Sequence, residues 1–532
     1  MIEITYLEKD FDYEINALVS SFFPKQTFKQ LEDGEEMLRL YLAFEKKRIF
    51  IRLVFAEYRK EREIEVSGEG DFHKKPDKTA HPYRTYYKNR LKRLLFEMLL
   101  DLPEEILPAA FEKRIPAWGT MTGVRPTKIP MGELLAGRAE TEVFRDLREI
   151  YCCSEENSRL CMEIAKKEAK LLQGLDLEET YSLYIGIPFC PTTCLYCSFP
   201  SYPLEHFGDR ADRYLEALFK EIRESGSRCS RKKLTSVYIG GGTPTALSAE
   251  QLDRLLSHIR KYFPASGDCE FTVEAGRPDS ITREKLFVLR KYGIDRISVN
   301  PQTMQQKTLD LIGRKHTVED TKNAFYLARE AGFANINMDL IVGLPEESLE
   351  DFKNTLSEVE ELLPDSITVH SLVIKRASKL REILEERKST GAYAQLPESG
   401  KKIMKAEERM SLAEQMLFYA KEELGKKKYF PYYMYRQKNS AGHAGSNGQE
   451  NIGFAREGKE CLYNILIMEE MQSILALGAG ASTKCYRTIE EEKAGAFRGK
   501  GVVSRIENVK SIDDYINRVD EMIERKQHLW HS

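Results

Sequence analysis

The sequence predicts an α/β protein in which a central set of six strand-helix units is preceded by a small α+β module and followed by a mainly helical segment. Three observations predict it. Apolar runs of strand length recur six times between residues 182 and 374, each followed by a helical pattern. Those runs are continuously apolar rather than alternating, so they belong to parallel strands buried on both faces, and right-handed crossovers close such strands into an open or closed barrel. The rhythm changes at both ends of this stretch, which divides the chain into residues 1–170, 171–395 and 396–532.

The first segment reads as an α+β module with a helical linker. Alternating runs at 37–44 (MLRLYLAF) and 48–58 (RIFIRLVFAEY), divided by the charged EKK, predict a hairpin. A helical pattern follows at 90–100, with Pro103 and Pro108 marking its end. Positions 74–93 hold eight Lys or Arg against one Asp, with Tyr83, Tyr86 and Tyr87 interleaved. Aromatics among basic residues can stack bases or grip an acidic ligand; the same pattern also describes a solvated helix face with tyrosines at its edge. Cys152, Cys153 and Cys161 read as helix packing, because a free cysteine behaves as a small buried hydrophobe.

The middle segment supplies the strands SLYIGIPF (182–189), SVYIGGG (236–242), FTVEAG (271–276), RISVNPQ (296–302), INMDLIVGLP (336–345) and SITVHSLVI (366–374). Helical patterns such as RYLEALFKEIRES (213–225) and DFKNTLSEVEELL (351–363) separate them. Ligands of such folds bind at the carboxyl ends of the strands, so the residues ending each run are the candidates for chemistry. From about residue 400 the pattern is helical, then loop-rich, then a charged helical tail.

Composition narrows the function. In 532 residues, 42% are hydrophobic and 31% charged, as in a folded globular protein. Lys plus Arg at 81 against Asp plus Glu at 84 gives a net charge of -3, so nucleic acid is not an expected partner and neither is a membrane. No run reaches the roughly 18 to 20 apolar residues of a membrane span, and the first residues lack a basic region followed by an apolar one, so a cytoplasmic location is expected. In a reducing compartment the ten cysteines are thiols, ligands or catalytic groups before they are disulfides.

Directly after the first strand stands CPTTCLYC, placing Cys190, Cys194 and Cys197 at C-x3-C-x2-C. Three thiolates on one short loop can hold three irons of a [4Fe-4S] cluster and leave the fourth open. An open iron can chelate the amino and carboxylate groups of S-adenosylmethionine and reduce its sulfonium to a 5'-deoxyadenosyl radical. A zinc site completed by His206 or another cysteine is the alternative. The second strand ends in GGGTPT (240–245), where glycines let backbone amides approach a ligand and Thr243 offers a hydroxyl. Glu274 closes the third strand, Gln302 follows the fourth and Asp339 lies in the fifth; Arg314 can reach the same mouth and bind a carboxylate bidentately.

These residues resemble the radical S-adenosylmethionine (radical SAM) superfamily, and within it the oxygen-independent coproporphyrinogen III oxidase family, also called coproporphyrinogen dehydrogenase. YIGIPFCPTTCLYC, GGGTPT, RISVNPQTMQQKTLDLIGRKH, MDLIVGLP and YNILIMEEMQSILALGAGAST carry the resemblance from about Tyr184 to Thr483, and WGTMTGVRPTK at 118–128 points to the HemZ-type branch. The resemblance implies a partial (βα)6 radical SAM barrel with Cys190, Cys194 and Cys197 as cluster ligands. Tyr184 and Tyr196 would line the first S-adenosylmethionine, and Gly241, Gly242, Thr243 and Glu274 would hold it. Gln302, Arg314, Asp339 and Val373 match contacts to a second S-adenosylmethionine.

The implied reaction is oxidative decarboxylation of two propionates of a porphyrinogen substrate, drawing on an electron donor such as flavodoxin or ferredoxin and on an unidentified electron acceptor. The chain departs from the family at Gly186, where members commonly have His, and at Phe199, where the oxidase has a fourth cysteine. Relatives with Phe there include proteins that resemble haem chaperones. A haem-binding protein that keeps the cluster, with His370, His316 or His443 as axial ligand, is therefore an alternative, as is a radical enzyme acting on another substrate.

Overall fold

The computed structural model describes all residues except 7–9, 25, 29–37, 46, 68–81, 109–110, 198–200, 228–231, 374–405, 438–449, 489–500 and 528–532; Phe199, Cys229 and His443 lie outside the described residues. The chain forms two compact units, Met1–Lys166 with Arg436–Asn447, and Lys167–Tyr435 with Gly448–Ser532.

In the first unit, β1 (Ile2–Tyr6) runs parallel to β2 (Leu38–Glu45), and β2, β3 (Arg48–Phe55) and β4 (Tyr58–Glu65) form an antiparallel meander. The expected hairpin is β2–β3, closed at Glu45↔Arg48. Along β3 burial alternates strictly, so Ile49, Ile51, Leu53 and Phe55 enter one core with residues of the helices Asp12–Phe22 and Pro82–Leu100. The edge strand β4 carries charge, and Arg48–Glu63 (2.8 Å) and Arg52–Glu61 (2.5 Å) pair it with β3, which discourages further strand addition. The helix expected at 90–100 begins at Pro82. Proline suits a first helical position, and Tyr83, Tyr87 and Leu91, four apart, continue the buried stripe toward the N-terminus. Cys152 and Cys153 precede the helix Glu155–Leu172, whereas Cys161 lies within it.

In the second unit the six expected strands are all present: β5 (Thr180–Ile187), then, after the two-residue pair β6 (Phe189–Cys190) and β7 (Tyr202–Pro203), β8 (Lys233–Gly241), β9 (Glu270–Glu274), β10 (Arg296–Ser298), β11 (Asn335–Val342) and β12 (Ser366–Ser371). They pair in parallel in chain order. Helices Leu204–Gly226, Ala249–Tyr262, Arg283–Lys291, Val318–Glu330 and Leu349–Glu361 return the chain between them. Ser248, Thr317 and Ser348 start three of these helices with reciprocal capping boxes, which satisfy amides that a helix start leaves bare.

The carboxyl-terminal segment, read from sequence as mainly helical, also supplies five strands. β13 (Phe430–Arg436) and β14 (Glu450–Ala455) extend the sheet beyond β12, with β14 antiparallel to it. β15 (Ser473–Leu477) adds in parallel beside β5, and β16 (Ser482–Thr488) and β17 (Gly501–Glu507) continue from it. Short apolar runs such as SILAL fit a buried helix turn or a buried strand equally well by periodicity, so only pairing with β5 decides.

A buried ion pair ties the chain end to this barrel. Glu221, on Leu204–Gly226, accepts from Lys526 Nζ (2.5 Å), Tyr515 Oη (2.5 Å), Asn508 Nδ2 (2.9 Å) and the Gly478 amide (2.8 Å). Replacing Lys526 with Met leaves Glu221 charged, buried and short of its main counter-ion, which is expected to cost about 3–5 kcal/mol. Thermal unfolding should show a Tm lower by several degrees; an unchanged Tm would show that the pair is dispensable.

Candidate active site

The carboxyl ends of β5, β8, β9 and β11 carry the expected residues. After β5 the chain turns through Cys190, half-buried, Cys194, buried, and Cys197, half-buried. The loop is held at both ends. The Cys197 amide donates to Cys194 O (3.1 Å), and the Leu195 amide donates to Ile312 O (3.0 Å). Arg277 Nη1 donates to Thr192 O (3.3 Å) and lies 3.6 Å from Cys194 Sγ, while its other edge is paired with Asp279 (2.9 and 2.7 Å).

Electrostatics act on two of these thiols in opposite directions. Burial pushes the Cys194 thiol up, but the guanidinium groups of Arg314 and Arg277 more than offset it and hold it below its ordinary value. Burial pushes Cys190 up to about 11, against the pull of the Thr243 hydroxyl 3.6 Å away. Among the described residues, no three His, Cys, Asp or Glu side chains converge as ligands of a single metal ion. Thiolates on three corners of a cubane have no need to converge so closely, and the three-thiol donor set fits a [4Fe-4S] cluster with one iron left open.

The glycine strand end forms a cradle. Gly241 has φ +111°, a conformation that glycine adopts without strain, and a Cβ at Gly242 would stand 2.5 Å from Phe189 O and 3.0 Å from Cys190 Sγ. Gly242 N donates to Ile187 O (2.8 Å) and Thr243 N to Phe189 O (2.7 Å), which lock β8 to the cysteine loop.

Beyond the cradle stand three tyrosine rings. Tyr184 stacks on Tyr238 (6.4 Å) and Tyr463 (6.3 Å), which stack on each other at 4.5 Å. Tyr238 Oη donates to Glu274 Oε1 (2.6 Å). Burial, only partly offset by that hydrogen bond, pushes Glu274 up to about 7.

Gln302, Asp339 and Arg314 are brought into one corner. Gln302 N donates to Asp339 O (3.0 Å), and Gln302 O accepts from Ile341 N (2.9 Å). Gln302 has φ +69°, rare outside glycine, and its buried Oε1 has no hydrogen-bond partner among the described residues. Arg314 Nη1 donates to the carbonyls of Asn300 (2.5 Å) and Pro301 (3.2 Å), so its charge is buried beside Cys194. Tyr196 packs on Ile312, Ile341 and Leu344 with Leu372, and Val373 follows in the half-buried segment after β12.

Sequence reasoning misses three residues that line or brace this site. Tyr238 sits two places before the glycines and so faces the same way as Gly240, a signal that strand alternation could have supplied. Arg277 and Tyr463 gave none in one dimension. His370 reads in sequence as a candidate haem ligand or as a satisfied structural residue. Its Nε2 faces Asp339 Oδ2 at 3.7 Å and its Nδ1 faces Asn451 Oδ1 at 3.2 Å, so both ring nitrogens are already engaged. Asp339 is held below its ordinary range because His370 and Asn337 outweigh its burial, and Asp339 with Asn451 raises His370 despite burial. His316 is buried (1% exposed), and burial with the Arg314 charge lowers it to about 4, leaving a neutral ring out of reach of a ligand.

Comparison with known proteins now has a site to refer to. The Radical SAM superfamily model matches residues 184–359, which spans β5 to the helix Leu349–Glu361. Identity is 39% over 413 residues, 77% of this chain and 76% of the relative, with the oxygen-independent coproporphyrinogen-III oxidase-like protein HemZ of Bacillus subtilis (strain 168). The chain belongs to the HemZ-type branch of the radical SAM superfamily.

Two further relatives align over less of the chain. The heme chaperone HemW of the same organism is 36% identical over 206 residues, 38% of this chain and about half (54%) of its own length. The solved structure of coproporphyrinogen III oxidase (HemN) from Escherichia coli, described as a radical SAM enzyme, aligns at 24% identity over 67% of this chain and 73% of that one, with a TM-score of 0.47. Radical SAM membership implies a [4Fe-4S] cluster and S-adenosylmethionine, and the thiols and cradle described above fit both. Among the described residues no helix is long and apolar enough to cross a membrane.

Proposed function

We propose that this HemZ-type protein is a cytoplasmic radical SAM oxidoreductase that converts two propionates of coproporphyrinogen III to vinyl groups without oxygen, giving protoporphyrinogen IX. The observation that carries the reading is the three-thiol loop meeting the Gly240–Gly242 cradle at Cys190, with Glu274 and Tyr238 against Gly240 and Tyr184 against Gly241.

Bound cluster and S-adenosylmethionine together supply hydrogen abstraction from an unactivated carbon. The protein's part is to hold and orient. Cys190, Cys194 and Cys197 hold three irons. Tyr184, Gly241, Gly242, Thr243 and Glu274 seat the first S-adenosylmethionine, with Tyr196 beside them. Gln302, Arg314, Asp339 and Val373 serve a second molecule, one for each propionate. Each propionate loses a β-hydrogen atom, then carbon dioxide and one electron, so an electron acceptor is consumed at every vinyl group. A donor such as flavodoxin or ferredoxin supplies the electron that starts each cycle.

The engaged nitrogens of His370 and the buried ring of His316 disfavour haem ligation through either residue, the reading that the HemW relatives would otherwise support. One incubation tests the reading. Reduced, reconstituted protein with S-adenosylmethionine and coproporphyrinogen III is expected to give tricarboxylic and then dicarboxylic porphyrinogens. A stable haem Soret band without turnover would point instead to haem binding, and neither result would point to another substrate.

A further inference from the structure

The basic, tyrosine-rich stretch near residue 90 plays no part in the proposed reaction, and the first unit gives it a setting of its own. A cavity of ≈ 270 Å³ opens against the helix Pro82–Leu100. Ile129, Val143, Leu147 and Ile150 make its wall apolar, and Tyr86 and Tyr151 border it.

Its charges are unevenly matched. Arg138 forks between Glu133 (3.0 Å) and Asp146 (2.9 Å), and Arg93 is paired with Glu97 (2.9 Å). Arg90, half-buried in the same lining, makes no hydrogen bond or ion pair among the described residues, and its Nε is shut off from solvent. With no counter-ion of its own and with Nη1 and Nη2 open to solvent, its forked donors can take a carboxylate.

We propose that this cavity binds a small monocarboxylate with an apolar or aromatic body, with Arg90 as its counter-ion. The wall selects that class. Arg138 answers Glu133 and Asp146 and Arg93 answers Glu97, so Arg90 is the one lining arginine with no carboxylate beside it, and a dianionic phosphate would face both Glu133 and Asp146. The volume falls just below the roughly 300–1,000 Å³ of drug-sized sites, which suits a body of one or two rings. Nucleic acid fits less well, because Tyr83 (7% exposed) and Tyr87 (0% exposed) lie in the module's core, with the Tyr87 hydroxyl donating to Glu45 O and Arg48 O at 2.8 Å each. That leaves Tyr86 as the one ring of the three that could stack a base.

The full-length protein can be titrated with benzoate, indole-3-acetate, inorganic phosphate and a short oligouridylate, with binding read by calorimetry. Saturable binding of at least one of the two aromatic acids at one site per chain is expected, weakened about tenfold or more by Arg90→Gln and less by Arg90→Lys, which keeps the charge but loses the fork. Iron content, S-adenosylmethionine cleavage and Tm should be unchanged in both variants, since Arg90 has no protein partner to lose. No binding of either acid at millimolar concentration overturns the proposal, as does binding indifferent to Arg90→Gln. A fall in Tm that makes Arg90 structural, or Arg90-dependent binding of the oligouridylate or phosphate in place of the acids, overturns it equally.

Discussion

Replacing Cys190, Cys194 or Cys197 with Ala, one at a time, is expected to abolish the cluster, taking anaerobically reconstituted protein from about four irons per chain to near none. The loop has no spare ligand within the described residues. Cys269 stands at the amino end of β9, opposite the strand end that carries Glu274, Cys485 lies within β16, and Cys461 is engaged with Glu270 Oε1 at 3.3 Å. Without one thiolate a second iron loses its protein ligand, and the guanidinium charges of Arg277 and Arg314 are left beside a site with less negative charge to balance them. Iron analysis and the visible absorption of the cluster check the result. Loss of iron on replacing Cys269 or Cys461, with retention in the three loop variants, would show that the ligands are elsewhere.

The second large effect separates Glu274 from Arg314. Glu274→Ala should leave iron content intact while cutting cleavage of S-adenosylmethionine at least a hundredfold, because the carboxylate would accept the cofactor's hydroxyl groups and charged hydrogen bonds contribute roughly 1.5–3 kcal/mol each. Its pH dependence has a defined sign. Burial raises Glu274 from 4.5 to about 7, so below that pH the group is held mainly as the protonated acid. If the carboxylate is the binding form, cofactor affinity climbs about tenfold per unit as pH rises toward 7 and levels off above it. The same shift makes the cofactor-free fold lose stability as pH rises through the window from 4.5 to about 7.

Arg314→Ala should behave differently. Its guanidinium stabilises the Cys194 thiolate and fixes the Asn300–Pro301 carbonyls just before Gln302, so iron retention and cleavage should fall together. Arg314→Lys restores the charge without the fork and should recover iron more than product formation. Iron content, 5'-deoxyadenosine without substrate and product with it distinguish the two residues. Full iron content in Arg314→Ala would show that the charge beside Cys194 is unimportant.

Much of this site is local in sequence and was legible there. The three cysteines fall within eight residues, and the glycines end the next strand, so spacing alone brings them to one rim once a parallel sheet is assumed. The six apolar runs announced that sheet because parallel strands buried on both faces cannot alternate. What periodicity could not reach were contacts set by chain return. The Arg277 and Arg314 charges meet Cys194 across 83 and 120 residues of chain, and Tyr463 reaches Tyr238 from a segment read as helix and loop.

The sequence by itself thus determined the strand-helix order, the ligand loop and the cradle, because each depends on residues a few positions apart whose backbone geometry is dictated locally. Tertiary structure alone decided that the carboxyl-terminal strands complete the sheet on both flanks of β5–β12, and that His370 is committed to Asp339 and Asn451. It alone decided that two of the three tyrosines near residue 90 are core while Arg90 lacks a partner. Burial and pairing across long sequence separations are set by which surfaces meet, and that is settled by packing free energy summed over the whole chain rather than by any local pattern.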